Sequence, residues 1–128
     1  DQKELKLDSI VSDNHGVLEK NFTKYILAKE GESYDDIATK MDVWLWELLK
    51  YNECEMDSIL DKDDKVYLQP KRRKGTTIYH IVSEGETMYD ISQFYGIKLK
   101  HLYKKNRMEL GSQPYIGQRL NLIKKIKF

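Results

Sequence analysis

The chain has 128 residues, 40% of them hydrophobic, and its 22 Lys/Arg against 21 Asp/Glu leave a formal net charge of +1. Such a length holds one ordinary domain or two very small ones, and the near-balance of charge argues against a bulk polycation or a polyacidic tail. No apolar run approaches the roughly 18–20 residues of a membrane span, and the single cysteine, Cys54, excludes an internal disulfide framework and a multi-cysteine zinc site.

In chain order, residues 1–22 are expected to form a linker or a short hairpin around the turn-like Asp13-Asn14-His15-Gly16. They carry no signal-peptide pattern, and a start at Asp1 rather than Met reads as a trimmed or processed fragment. Residues 24–28 favour extended chain and Gly31 breaks it. Ser33 with Asp36 three residues on is a variant capping box, opening a helix whose face is Tyr34, Ile37, Ala38 and Met41. A second helix carries Leu45, Leu48, Leu49 and Asn52, and Val66/Leu68 alternate in a closing strand. Lys71-Arg72-Arg73-Lys74-Gly75 then reads as a solvated basic linker, preferred over a nuclear signal or an RNA-binding patch. The same order follows again. Residues 78–82 are extended, Gly85 breaks the strand, and Thr87/Asp90 cap a helix bearing Met88, Ile91, Ser92 and Tyr95. Gly96 ends that helix, Leu99, Leu102, Tyr103 and Asn106 mark the next, and Leu120/Leu122 close.

The repetition is quantitative. Shifted by 54 residues, 25–74 matches 79–128 without a gap, with 14 identities in 50 pairs, as expected of a duplicated unit. The charge divides at the same place: residues 1–70 carry 9 Lys/Arg and 17 Asp/Glu, net −8, and residues 71–128 carry 13 and 4, net +9. The boundaries read as 1–22 N-terminal segment, 23–70 first module, 71–76 linker, 77–124 second module and 125–128 basic tail.

The run Tyr79-His80-Ile81-Val82-Ser83-Glu84-Gly85-Glu86-Thr87-Met88-Tyr89-Asp90-Ile91-Ser92, then Tyr95-Gly96-Ile97, Leu102, Asn106 and Ile116-Gly117-Gln118-Arg119-Leu120-Asn121-Leu122, resembles the LysM (lysin motif) module. The first copy resembles it less completely, with Asp63-Asp64 where the second has Gly117-Gln118. The resemblance implies an α+β fold of two tandem βααβ modules, each a two-stranded antiparallel sheet packed by two short helices. It implies binding of N-acetylglucosamine-containing glycan, peptidoglycan first and chitin-like oligomers second. The paired, disulfide-free arrangement also resembles the C-terminal wall-binding region of bacterial, Bacteroidetes-type N-acetylglucosaminidases and muramidase-like hydrolases. That implies a non-catalytic, monomeric targeting segment for a catalytic domain upstream of Asp1, periplasmic or extracellular and cell-wall associated, with no cofactor, metal or nucleic acid.

The same resemblance places the glycan between the loop after the first strand and the loop before the last. In the second module these walls are Gly85, Glu86, Thr87, Met88 and Tyr89 against Pro114, Tyr115 and Ile116. In the first they are Gly31, Glu32, Ser33, Tyr34 and Asp35 against Ile59, Leu60, Asp61 and Lys62. A glycine lets backbone approach an acetamido group closely, Met88 and Ile116 offer its methyl an apolar patch, and a sugar face rests on a ring such as Tyr115. Each residue also has a plainer role. The glycines serve the turn, Ser33 and Thr87 suit caps, and Tyr34 and Met88 lie at core register. Tyr115, in a loop that no helical register governs, is the strongest ligand candidate. A shallow site binds weakly, and tethering two raises apparent affinity.

Other constellations carry less. Glu30/Glu32 and Glu84/Glu86 share one loop each and cannot flank a scissile bond as paired acid and base must. His15, His80 and His101 lack metal-ligand spacing, and His80 suits strand packing. A reading of another class is a protein–protein scaffold in which one or both copies have lost sugar binding, motivated by Asp61, Asp63 and Asp64 on the first groove's rim. A basic second half would assist encounter with the carboxylates of peptidoglycan stems.

Overall fold

The computed structural model describes residues 9–10 and 16–127. It divides into two compact units, Asp1–Lys71 and Arg72–Phe128, each taken by itself below.

In the first unit, strands β1 (Ser9–Ile10), β2 (Leu18–Lys20), β3 (Thr23–Leu27) and β4 (Lys65–Tyr67) form one antiparallel sheet in the order β1-β2-β3-β4. Ile26 lies opposite Val66 and Tyr25 opposite Tyr67. Because successive strand residues alternate faces, Ile26 and Val66 join Ile37, Ala38 and Leu48 beneath the helices. Tyr25 and Tyr67 are buried on the other face with Leu18. The expected two-stranded sheet is therefore widened here, and the reason is the free edge of β3. Its backbone groups pair with β2, Leu18 opposite Tyr25, and Ile10 of β1 lies opposite Leu18. The Asp13-Asn14-His15 turn falls outside the described residues.

Helix α1 (Tyr34–Met41) starts where Ser33 accepts the Asp36 N–H and the Asp36 carboxylate accepts the Ser33 N–H, so the capping box is complete. It stops where Asp42 turns left-handed at φ 56°. Helix α2 (Leu45–Tyr51) follows and ends at Asn52. Ile37, Leu48 and Val66 are fully buried, each worth about 1.5–3 kcal/mol of apolar transfer.

The second unit repeats the plan without the added strands. Among the described residues β5 (Tyr79–Ile81) pairs with β6 (Arg119–Asn121) alone, His80 opposite Leu120. Helix α3 (Met88–Tyr95) has the Thr87/Asp90 capping box and ends at Gly96, φ 69°, a conformation glycine reaches without strain. Helix α4 (Leu99–Lys105) completes the unit. Met88, Ile97, Leu102, Leu120 and Leu122 are fully buried.

One buried amide buckles each unit. Asn106 Nδ2 donates to the Leu102 and Asn121 carbonyls at 2.9 and 3.0 Å, and its Oδ1 accepts the Asn121 N–H at 2.7 Å. Asn52 does the same with Leu48 and Tyr67 at 2.8, 2.9 and 2.7 Å. The two asparagines thus join the second helix to the last strand of each unit.

The basic stretch expected as a solvated linker is not solvated throughout. The Lys71 side chain is fully buried and its Nζ lies 2.6 Å from Glu53 Oε1. Arg72 belongs to the second unit, donating its N–H to Gly96 and accepting that of Lys98. Gly75 is buried, and its N–H donates to the Leu122 carbonyl at 2.8 Å. A long alkyl stem tolerates burial when its ammonium meets a carboxylate, which composition alone does not reveal.

Candidate functional site

In the second unit both expected walls meet. Val82 donates its N–H to the Gln118 carbonyl and accepts that of Gly117, at 2.9 and 2.8 Å, which ties the two loops at their base. Farther out, the Met88 N–H donates to Gln113 Oε1 at 3.0 Å. The Tyr103 hydroxyl donates to the Ser112 carbonyl at 2.7 Å and holds the second loop from behind. A tight turn follows. Gln118 N–H donates to the Tyr115 carbonyl, Tyr115 N–H donates to Gln118 Oε1, and Gly117 sits at φ 85°. That turn leaves Tyr115 and Ile116 outward, 70% and 67% exposed. Gly85 has φ 83° and open space where a side chain would stand.

The remaining expected residues divide. Thr87 and Ser33 are occupied as caps. Met88 is fully buried and Tyr34 nearly so, which corrects the expectation that Met88 offers an apolar patch: its side chain fills the core and its backbone alone serves the loop. Tyr89 and Pro114 are half-buried. Leu60 packs against the first core, whereas Gly31, Ser33, Asp35, Asp61 and Lys62 are exposed and Ile59 is 87% exposed.

The first unit builds the same turn from different residues. Asp63 takes φ 70° in place of Gly117, and Asp64 Oδ2 accepts the Asp61 N–H at 2.9 Å as Gln118 does for Tyr115. Asp tolerates left-handed backbone better than most side chains because its carboxylate can bond locally. The departure noted in the sequence therefore leaves the scaffold intact. What changes is the outward pair: Asp61 and Lys62 stand where the second unit has Tyr115 and Ile116.

Glu86 is a brace. Its Oε1 accepts the Ser83 N–H at 2.7 Å and lies 2.8 Å from His80 Nε2, while His80 Nδ1 lies 2.8 Å from the Tyr95 hydroxyl. The Nε2–H tautomer satisfies both contacts, donating to Glu86 and accepting from Tyr95. Burial pushes the Glu86 carboxyl up, but the Ser83 amide and His80 outweigh it and hold the carboxyl below its usual value. Glu32 repeats the device with other partners, taking the Lys29 N–H and the Lys40 ammonium, both at 2.8 Å. Its carboxyl is also lowered, burial being outweighed by Lys40 and the Lys29 amide.

Sequence reading missed Gln113 and the Tyr95–His80–Glu86 chain. Gln113 had no signal, since nothing in a loop's spacing marks a cross-loop bond. The chain had one: an imidazole and a carboxylate six residues apart across a glycine turn. Trp44 and Trp46, 71% and 63% exposed, were also unremarked. Among the described residues no group of three or more His, Cys, Asp or Glu is placed to hold a metal ion, and no helix is long and apolar enough to cross a membrane.

Comparison with known proteins follows the same two units. The family model described as LysM domain matches residues 28–60 and 80–122, more than half of the chain. No curated protein matches. Among solved structures, the Bacillus cereus spore cortex-lytic enzyme SleL is 26% identical over 80% of this chain and 23% of its own, with a TM-score of 0.35. The Bacillus megaterium QM B1551 enzyme of the same name is 16% identical over 78% and 22%, also with a TM-score of 0.35. The chain spans less than a quarter of the length of either.

Proposed function

The chain belongs to the LysM domain family, and we propose on that premise that it is a non-catalytic binder of N-acetylglucosamine-containing glycan, gripped chiefly by the second unit. LysM domains generally bind such glycans, peptidoglycan among them. One observation carries the assignment to the second unit: its loops are tied together by Met88 and Gln113, yet one presents Tyr115 and Ile116 outward and the other leaves open backbone at Gly85. Fixed backbone donors, a ring with a polar tip and an apolar neighbour are the parts that an acetamido sugar uses. Peptidoglycan is the preferred source, with chitin-like oligomers second. The cell wall is the place of action, and the chain's task is to bring an upstream wall-hydrolase domain to its substrate.

Titration of N-acetylglucosamine oligomers and muropeptides, followed by amide shifts, tests the reading. Amides of 83–89 and 113–117 move, and Tyr115→Ala weakens binding about tenfold, roughly 1.4 kcal/mol, with the rest of the spectrum unchanged. If neither Gly85–Thr87 nor Gly31–Ser33 responds and sedimented peptidoglycan leaves the protein in solution, the reading fails.

A second reading applies to the first unit, where Asp61 replaces the ring and Trp44 and Trp46 are exposed elsewhere. A protein-docking role for that unit predicts oligomer-induced shifts confined to the second.

A further inference from the structure

We propose that the second unit carries, apart from its groove, a cationic strip that binds a linear phosphate polymer through charge alone. The strip is assembled from three segments distant in sequence. Residues 72–74 run beside α4: Arg72 donates its N–H to the Gly96 carbonyl at 3.0 Å and accepts the Lys98 N–H at 2.8 Å. Farther along, the Lys105 ammonium donates to the Arg73 carbonyl. At the end of α4 the C-terminal segment joins: Ile126 N–H donates to the Lys105 carbonyl at 2.7 Å, and Arg107 Nε donates to the Ile126 carbonyl at 2.9 Å. The acceptors in these bonds are backbone carbonyls.

His101, half-buried on α4, registers the gathering. Burial, then Lys105, Arg73, Lys104 and Lys98, hold its imidazole below the usual value, and the charges acting on it are all cations. The four side-chain carboxylates of residues 72–128 are Glu84, Glu86 and Asp90, in the loop before α3 or at its start, and Glu109, exposed two residues beyond Arg107.

The chemistry of the partner follows from what the strip lacks. The large exposed apolar side chains of the second unit, Tyr79, Ile81, Phe94, Leu110, Tyr115 and Ile116 among them, lie outside residues 72–75, 98–107 and 124–127. The rings within the strip are the buried Tyr103 and the half-buried His101, so it offers no open aromatic face on which a base would stack and no exposed apolar wedge to enter a bilayer. Lys98 to Lys105 extends about 10 Å along one helix, a line of charge rather than a plane. Its ammonium groups serve phosphate as point charges, and Arg72, Arg73 and Arg107 add guanidinium forks that match phosphate oxygens. A chain of closely spaced phosphates, such as a phosphodiester wall polymer, fits that line, whereas a neutral glycan gains nothing from it. The inference is independent of the groove reading.

Inorganic polyphosphate is the probe, added to the full chain at several salt concentrations. Amides of 72–74, 98–107 and 124–127 shift while 83–89 and 113–117 stay, and His101 titrates at higher pH in the complex because phosphate offsets its cationic surroundings. The triple variant Arg73→Gln/Lys98→Gln/Lys104→Gln lowers the slope of log K against log salt by roughly 2–3 and binds at least tenfold more weakly. Lys98→Arg/Lys104→Arg retains binding, which separates lost charge from lost fold. Absence of binding, unchanged binding by the triple variant, or an unmoved His101 overturns the proposal. So does tighter binding of duplex DNA at equal phosphate, or of vesicles with one-third anionic lipid, since either names a different partner.

Discussion

Replacing Asn106 by Leu keeps the branching at Cγ, enlarges the side chain and removes three hydrogen bonds. The bonds are those to the Leu102 carbonyl and to the N–H and carbonyl of Asn121, all between 2.7 and 3.0 Å, made by a side chain only 5% exposed. At a net 0.5–1.5 kcal/mol each, the loss is about 3 kcal/mol. A unit the size of Arg72–Phe128 has a total stability of only about 3–8 kcal/mol, so the variant loses a large share of it. Its melting temperature falls by about 12 °C or more. Urea titration followed through the amide signals of residues 79–122 measures the change directly. Asn106→Asp is the companion. It keeps the shape and the acceptor for the Asn121 N–H, but sets a carboxylate against two carbonyl oxygens, so it is no more stable than the Leu variant at neutral pH. A Leu variant within 1 kcal/mol of the parent, or an Asp variant that restores stability, refutes the assignment of the buckle's strength to the amide donors.

Three further outcomes are expected. Glu86 has a folded-state value below its ordinary 4.5, so its contribution is present above that ordinary value and is lost as pH falls through the folded one. Hydrogen exchange at the Ser83 amide accelerates over that window, and Glu86→Gln flattens the dependence. Glu53→Gln strips the buried Lys71 ammonium of its carboxylate and costs the first unit about 3 kcal/mol in chemical denaturation, whereas Lys71→Met stays within about 1 kcal/mol. Burial lowers the Lys71 value below 10.5 despite Glu53, and the unfolded chain binds more protons between the two values. The parent therefore gains stability relative to Lys71→Met as pH rises through that interval. Asp61→Tyr transfers the second unit's ring to the first and strengthens its binding of N-acetylglucosamine oligomers, read by shifts at the Gly31–Ser33 amides; unchanged shifts count against Tyr115 as a contact.

Elements and caps were legible because they are local. The Ser33/Asp36 and Thr87/Asp90 pairs, the left-handed stops at Asp42 and Gly96, and the periodic faces of α1 to α4 depend on spacing alone. The added strands were less so, since nothing within 1–22 states which edge it joins. The buried Lys71 was invisible because the pair that makes burial tolerable, Lys71 with Glu53, is closed by the fold and not by sequence neighbourhood. The glycan loops were located by their motif, but residue roles within them depended on which way each side chain turned. Met88 turned inward and Tyr115 outward at opposite walls of one groove.

The asparagine buckle also governs what the sheets can recruit. A strand's outer backbone groups are a template for a foreign strand, and small sheets are mostly edge. At Tyr67 and Asn121 that template is already read by an amide side chain, which presents a donor and an acceptor as a neighbouring strand would. An invading strand must first displace it. On the opposite side the first unit covers β3 with β2, while in the second unit β5 has β6 as its strand neighbour among the described residues. Resistance to edge-to-edge aggregation on that flank is left to the brevity of β5, three residues long, too short a run to nucleate a growing ladder.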